Sequence, residues 1–166
     1  MPYQILPYDR DAAVAYAHQW AYGRNPRYYN YNTLGGDCTN FASQCLYAGS
    51  GVMNHTPMFG WYYYDANRKA PAWTGVVYLY NFLTRDKPSL GPFAKEVTLR
   101  ELLPGDIVQL SFNGAGFQHS PVVMQAGEGA SDLLLAAHTD DADYRPLDTY
   151  PYVLARFLHI SGVYQM

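Results

Sequence analysis

The feature that most constrains the fold is a change of hydrophobic period near Pro104-Gly105. Before this point, apolar residues recur at helical spacing, which predicts helices over 9–22, 37–48 and 74–83. After it, short apolar runs separated by Gly- and Asp-rich turns predict strands in "DIVQLSF", "QHSPVVMQ", "DLLLAAHT" and "LARFLHISGVY". Helices followed by antiparallel strands indicate an α+β fold, with N-terminal helices packed on a C-terminal antiparallel β-sheet.

Length and charge limit the classes of partner. A chain of 166 residues that is 49% hydrophobic suits one globular domain over 1–166. A net charge of −3 without a cationic cluster argues against nucleic acid. The sequence has no apolar run of membrane-spanning length and no secretory signal at its start. We therefore expect a cytoplasmic protein or one released by another route.

The two cysteines have different environments in this prediction. Seven residues separate Cys38 from Cys45, which is about 10.5 Å along a helix. A disulfide needs Cα atoms closer than about 7 Å, so the two thiols are not expected to bond to each other. Cys45 lies in the middle of the helix on its apolar stripe and is expected to be a core residue.

Cys38 has the features of a nucleophile. It follows the N-cap residue Asp37 and lies in the first helical turn, where N–H groups have no intrahelical partner. The positive end of the helix dipole is expected to lower the pKa of this thiol. The Cys38 N–H is one candidate oxyanion donor, and the second is sought in Asn32 or a tyrosine hydroxyl. The candidate tyrosines are Tyr28, Tyr29 and Tyr31.

A cysteine nucleophile needs a base, and His119 is the best placed of five histidines. It opens a predicted strand directly after the glycine-rich turn "NGAGFQ". His138 ends the next predicted strand, and a hairpin between the two strands brings the imidazoles together. His138 is then expected to orient His119, with Asp140 or Asp141 as alternatives. His18 and His55 are expected to be incidental, and His159, on the last predicted strand, is expected to be a core or edge histidine.

The segment "FGWYYYDANRKAPAWTG" is unusually aromatic. Trp61, Tyr62 and Trp73 are expected to bind substrate beside Cys38, because aromatic rings contact sugars and peptides well. Two alternatives from other classes stay open. One is a non-catalytic sugar- or peptide-binding module built on this segment. The other is a zinc site made of Cys38, His119 and His138, although no metal-binding spacing accompanies that set.

Four stretches carry a resemblance to a known family: "GGDCTNFASQCL", "LLPGDIVQL", "HSPVVM" and "AAHTDD". Together they resemble the putative amidase domain family, a relative of the NlpC-like cell-wall peptidases among papain-like cysteine hydrolases. The resemblance implies a papain-like fold with Cys38 as nucleophile, His119 as base and His138 as the polar residue that orients it.

The same resemblance implies hydrolysis of amide bonds, often in peptidoglycan stem peptides, and members of the family tend to be secreted or attached to wall-binding modules. The expected reaction passes through a thioester and uses neither a cofactor nor a metal. The expected partner is a peptide or a peptidoglycan fragment. The sequence leaves open which amide bond is cleaved, and it does not indicate an oligomeric state.

Overall fold

A computed structural model describes residues 2–166 of the chain as a mixture of helices and mostly antiparallel strands. The helices are α1 (Arg10–Trp20), α2 (Cys38–Ser50), α3 (Pro71–Thr74) and α4 (Val76–Leu83). The strands are β1 (Gln4–Leu6), β2 (Tyr63–Asp65), β3 (Arg68–Lys69), β4 (Gly91–Val97), β5 (Ile107–Ser111), β6 (Val122–Gln125), β7 (Leu134–Ala137), β8 (Ala142–Pro146) and β9 (Leu154–Gln165). Short 3-10 turns cover Leu99–Glu101 and Leu147–Thr149.

The main sheet is antiparallel and is organised around the long strand β9. Along one edge, β9 pairs first with β5 and then, near its end, with β1. Along its other edge it pairs with β4. Beyond β5 the sheet continues through β6, β7 and β8 in chain order, while β2 and β3 form a separate hairpin. The sheet therefore joins the first strand of the chain to the last.

The helices cover one face of this sheet, and α2 is enclosed at the centre. Both the apolar residues and several polar residues of α2 are buried, among them Phe41, Leu46 and Ser43. A second group of buried side chains, which includes Leu110, Leu135 and Leu147, covers the opposite face. The structure thus combines helices with an antiparallel sheet, as the α+β prediction expected, although the sheet also includes the N-terminal strand β1. Within residues 2–166 every helix is too short or too polar to cross a bilayer.

The helix predictions were correct in position, with differences at their ends. The helix predicted over 37–48 runs from Cys38 to Ser50, and Gly51 ends it in a left-handed conformation with φ of 68°. Gly49 lies inside the helix, where a Cβ would be 2.5 Å from the ring of Tyr8. The helix predicted over 74–83 begins earlier and is broken at Gly75.

The strand predictions after Pro104 correspond to β5, β6, β7 and β9, whereas β1, β2, β3, β4 and β8 were not predicted. Both cysteines are free and buried, and Cys45 is a core residue as expected.

The turn Pro104-Gly105-Asp106 has a structural role that explains its aspartate. The carboxylate of Asp106 is fully buried and accepts from the guanidinium of Arg10 at 2.7 Å, and from the N–H groups of Leu103 and Ile160. It also contacts the ring of His159 at 2.9 Å. Asp106 therefore ties α1, the turn and β9 to one point.

Replacing Asp106 by Asn should destabilise the protein by about 3 kcal/mol, because Arg10 loses its anionic partner in a buried setting. The measurement is the free energy of unfolding in urea. The matched control is Asp86→Asn, since Asp86 is exposed and a substitution there should change stability by less than about 0.5 kcal/mol. Equal stability of the two variants would contradict this role.

Candidate active site

A cavity of about 400 Å³ lies where the start of α2 meets the sheet. Its wall comes from the loop before α2, the loop between β5 and β6, the turn between β7 and β8, and the segment after β8. Cys38 and His119 both line this cavity. The structure therefore brings together the predicted nucleophile and the predicted base.

The Cys38 sulfur lies against the backbone that leads into His119. Its Sγ is 3.8 Å from the carbonyl oxygen of Gln118 and 3.7 Å from Oγ1 of Thr39. Cys38 is only 7% exposed. Burial raises the pKa of the thiol, the hydrogen bond from Thr39 opposes this in part, and the charge of Asp37 raises it further. The expectation of a lowered pKa was wrong, because desolvation outweighs the hydrogen bonds that Thr39 and Ser120 provide to the sulfur.

The first turn of α2 has no side-chain cap. Asp37 occupies the N-cap position, but its carboxylate makes no hydrogen bond to the first-turn N–H groups. It accepts instead from the Tyr31 N–H at 2.8 Å and from the Asn40 side chain at 3.0 Å. The N–H groups at the start of α2, including that of Cys38, are left without an intrahelical acceptor. A developing negative charge beside Cys38 meets unpaired donors.

His119 is held as a neutral imidazole. It precedes β6 and bridges to Leu110 of β5, and its ring packs beside Phe112 and Tyr150. Burial lowers the pKa of His119 to about 4, with the positive charge of Arg145 adding to the effect and Asp140 opposing it. Near neutral pH the ring is therefore unprotonated and able to accept a proton.

His138 was expected to contact His119, but its ring makes other contacts. Its Nδ1 lies 2.5 Å from Oδ2 of Asp37, and its Nε2 lies 2.8 Å from the backbone oxygen of Trp20. The ring is 1% exposed and stacks on Phe41. Both ring nitrogens thus lie within hydrogen-bond distance of acceptors. His138 therefore binds Asp37 and has no free nitrogen for His119. Its predicted role in orienting His119 is corrected by these contacts.

The reason is the register of β6 and β7. The predicted pairing of these strands is confirmed, with Val122 opposite Ala136. Continuing that register places Ser120, not His119, opposite His138. Neighbouring positions on a strand point to opposite faces of the sheet, so a difference of one residue separates the two imidazoles. His138 faces α2, and Ser120 on the same side lies near Thr39 of that helix.

The turn between β7 and β8 closes the cavity on one side. Thr139 and Asp140 both have positive φ, 59° and 58°. The Oγ1 of Thr139 accepts from the Asp37 N–H at 2.9 Å, which attaches the turn to the start of α2. Of the two alternative orienting carboxylates, Asp141 is paired with Arg24 at 3.0 Å, whereas Asp140 lines the cavity. Asp140 is therefore the carboxylate that remains near His119.

The predicted substrate residues lie elsewhere. Trp61 and Trp73 are fully buried in the core, where their indole N–H groups donate to Ser43 and Asn40. Tyr62 is half-buried on the β2–β3 hairpin, and Asn32 is exposed. None of these lines the cavity, and neither does Tyr31, which contributes its backbone N–H to Asp37. The predictions for Trp61 and Trp73 are wrong, because the indoles are needed to fill the core around α2.

Several cavity residues were missed by sequence reasoning. Arg145 and Tyr150 reach the cavity from β8 and the 3-10 turn that follows it, and Phe112 and Gln118 reach it from the β5–β6 loop. The motif-like stretch "HSPVVM" lies one residue beyond Gln118, which is the nearest signal that the sequence offered. For Arg145 the sequence offered no signal, because β8 itself was not predicted.

The Cys-His-His zinc set is not assembled. Within residues 2–166 no three side chains of His, Cys, Asp or Glu are grouped so as to hold a metal ion. The nitrogens of His138 are also occupied by Asp37 and Trp20.

Replacing Asp37 by Asn should lower the free energy of unfolding by about 3 kcal/mol, because the buried His138 loses its carboxylate. Burial alone raises the pKa of Asp37, but the hydrogen bonds from His138, Asn40 and Tyr31 outweigh it and the net pKa lies below the usual value. The stability that this carboxylate contributes is fully present above the ordinary aspartate pKa. It is lost as the pH falls from that value through the lowered pKa of Asp37.

The measurement is urea unfolding of the Asp37 variant at neutral and at acidic pH. The control is Asp141→Asn, which breaks an exposed pair with Arg24 and should cost less than about 1 kcal/mol. Similar losses for both variants would contradict the role given to Asp37.

Comparisons with known proteins identify the family of the chain. A family model described as "Putative amidase domain" matches residues 7–160. The chain is 32% identical over 165 residues to "Uncharacterized protein YhbB" of Bacillus subtilis (strain 168), an alignment that covers 95% of this chain and 51% of the relative. The chain thus spans about half of that relative's length. No solved structure matches the chain. Because the family model covers most of its length, the chain belongs to the putative amidase domain family, whose description indicates amide hydrolysis.

Proposed function

We propose that residues 1–166 act as one cysteine hydrolase domain that cleaves amide bonds, with Cys38 as nucleophile and His119 as base. One observation carries the proposal. A thiol at an uncapped helix start and a neutral imidazole line the same cavity, and the thiol sulfur lies 3.8 Å from the residue that precedes the imidazole. Membership of an amidase family supports the same reaction class.

The resting pair is neutral in this mechanism. Cys38 holds its proton because burial raises its pKa, and His119 lacks one because burial lowers its pKa. When substrate binds, the thiol proton passes to a nitrogen of His119 as the sulfur attacks the carbonyl carbon. The carbonyl π electrons move to oxygen and give a tetrahedral oxyanion. A positioned base of this kind contributes on the order of 10²–10⁴ in rate.

The start of α2 stabilises that oxyanion. The Cys38 N–H points along the helix axis, has no intrahelical acceptor and is not capped by Asp37. An oxyanion donor contributes roughly 10²–10³ in rate. The oxyanion then collapses, and His119 gives its proton to the leaving amine. Water, deprotonated by His119, hydrolyses the thioester and returns Cys38 to its thiol form.

His138 and Asp37 position the nucleophile in this proposal. The buried pair fixes Asp37, the N-cap residue of α2, relative to the sheet, and Cys38 is the next residue in the chain. His119 is oriented by packing on Phe112 and Tyr150, and Asp140 supplies the nearby negative charge. Asp140, one of the two predicted alternatives, thus takes the place of His138 as the polar group near His119, and it acts through its charge.

The proposed substrate is a peptide, with peptidoglycan stem peptides as the first candidate. This rests on the papain-like and NlpC-like resemblance of the motifs around Cys38 and His119, and on a cavity large enough for a few residues of peptide.

A sugar- or peptide-binding role without catalysis is the second candidate. It is favoured by a group of rings in which His55 stacks on Tyr64 and Tyr62 packs tilted against Tyr64, with Tyr64 half exposed.

Cys38→Ala should lower amide hydrolysis by more than about 10³-fold without unfolding the protein. The assay is digestion of purified peptidoglycan and of simple peptides, with mass analysis of the products. The matched control is Cys45→Ala, which should keep activity and lose about 1 kcal/mol of stability, because Cys45 only fills the core. Full activity of Cys38→Ala would refute the assignment and favour the binding role.

The ionisation of the pair should be visible in two pH titrations. The thiolate absorbance of wild type minus Cys38→Ala should be absent at neutral pH and should appear only above the ordinary thiol pKa of 9.0. The acidic limb of kcat/KM should have its midpoint near pH 4, because activity is lost as His119 becomes protonated below that value. A thiolate signal at neutral pH would instead indicate a resting ion pair.

A further inference from the structure

Arg145 presents a guanidinium to the cavity that the protein holds firmly and leaves without a carboxylate partner. Its Nε donates to Oγ1 of Thr149 at 2.8 Å, and its Nη2 donates to the Thr149 carbonyl at 2.8 Å. The guanidinium carbon also lies 3.8 Å from the centre of the Tyr150 ring. Among the ion pairs of residues 2–166, Arg145 has none.

This arrangement leaves part of the guanidinium free in a fixed direction. Nε and one proton of Nη2 are used, whereas Nη1 makes no hydrogen bond to the described residues. A guanidinium held in place on one side and open on the other suits a carboxylate, because its donors match two carboxylate oxygens. Little side-chain entropy remains to be lost when such a ligand binds.

The position of Arg145 has a cost for the proposed reaction. Its positive charge is among the causes that hold the pKa of His119 down at about 4. The mechanism requires His119 to become a cation during attack, and an uncompensated positive charge nearby opposes this step. An anion bound to Arg145 would cancel the charge and make His119 a stronger base.

Asp140 does not explain the arginine. It lines the same cavity, but none of the ion pairs of residues 2–166 joins it to Arg145. Its φ of 58° places it at a left-handed turn position, where aspartate is one of the few residues tolerated. The backbone of the turn thus accounts for Asp140, while the contacts of Arg145 with Thr149 and Tyr150 leave its Nη1 without a partner among the described residues.

We propose that Arg145 binds a free carboxylate of the substrate, so that the preferred substrates are amides that carry a carboxylate near the cleaved bond. The inference deepens the proposed function and rests on it. It also couples recognition to chemistry, since the same carboxylate that selects the substrate relieves the positive charge beside His119.

The test uses the full chain with Cys38→Ala, so that binding is measured without turnover. The probes are N-acetyl-Ala-Ala as the free acid and as its C-terminal amide, each in the L and D configurations. The free acid should bind about 10- to 100-fold more tightly than the amide of the same configuration, because it gains charge-assisted hydrogen bonds. Arg145→Met should remove this difference, and Arg145→Lys should keep part of it.

A second readout separates binding from a structural role of Arg145. The pKa of His119, followed by NMR, should rise when the free acid binds and should not rise with the amide. It should also rise in Arg145→Met without any probe. Asp140→Asn is the matched control from the same cavity wall, and it should leave the preference for the free acid intact or increase it.

Three outcomes would overturn the inference: equal binding of acid and amide, no detectable binding of the acid, or an acid preference that persists in folded Arg145→Met. Hydrolysis by wild type is assayed separately. A protein that cleaves amides without this preference loses only the present inference. A protein that prefers the acid but cleaves no amide loses the proposed function and keeps a carboxylate-binding cavity.

Discussion

The carboxylate of Asp37 is the interaction on which the rest of the site depends. One of its oxygens holds the Tyr31 N–H and the Asn40 side chain, and the other holds His138 at the end of β7. Arg24 lies 3.4 Å from the same carboxylate. These contacts join the loop before α2, the helix itself and the sheet. Because the carboxylate is used in this way, it leaves the first-turn N–H groups uncapped.

The position of Cys38 shows how two electrostatic effects compete. A helix N-terminus stabilises a negative charge by about 0.3–1 kcal/mol when exposed and by at most about 2 kcal/mol when partly buried. Removing a thiolate from water costs several kcal/mol, and the carboxylate of Asp37 adds repulsion. Burial therefore dominates the resting state. The helix dipole contributes chiefly during the reaction, when negative charge develops on the substrate carbonyl oxygen, because that oxygen does not share the buried position of the sulfur.

Local patterns in the sequence predicted what is local in the structure. The period of apolar residues located α1 and α2, and the first-turn position of Cys38 followed directly from α2. The pairing of β6 with β7 followed from a turn signal between two apolar runs. The relation of His119 to His138 did not follow, because one residue of register decides which face each ring takes. A turn signal between strands does not specify that register.

Burial of aromatic residues was also beyond the sequence. Trp61 and Tyr62 are adjacent in an irregular segment, yet one is fully buried and the other is half exposed. The difference in burial is associated with Ser43 of α2, whose hydroxyl accepts a hydrogen bond from the Trp61 indole N–H. Only the packed position of α2 reveals that partner. Arg145 was missed for a related reason, since the pairing of β8 with β7 carries it to the cavity.

Residues with a strained backbone are concentrated in the β7–β8 hairpin, whose turn lines the cavity. Of the four non-glycine residues with positive φ in residues 2–166, Thr139, Asp140 and Tyr144 belong to this hairpin or its turn. Such conformations cost about 1–3 kcal/mol each and persist only where surrounding contacts enforce them. For the β-branched Thr139, the compensation is the hydrogen bond that its Oγ1 accepts from Asp37. A glycine there would relax the turn but would lose that bond and the anchor of the helix start. The strained turn is thus the means by which the sheet holds the start of α2 beside the base.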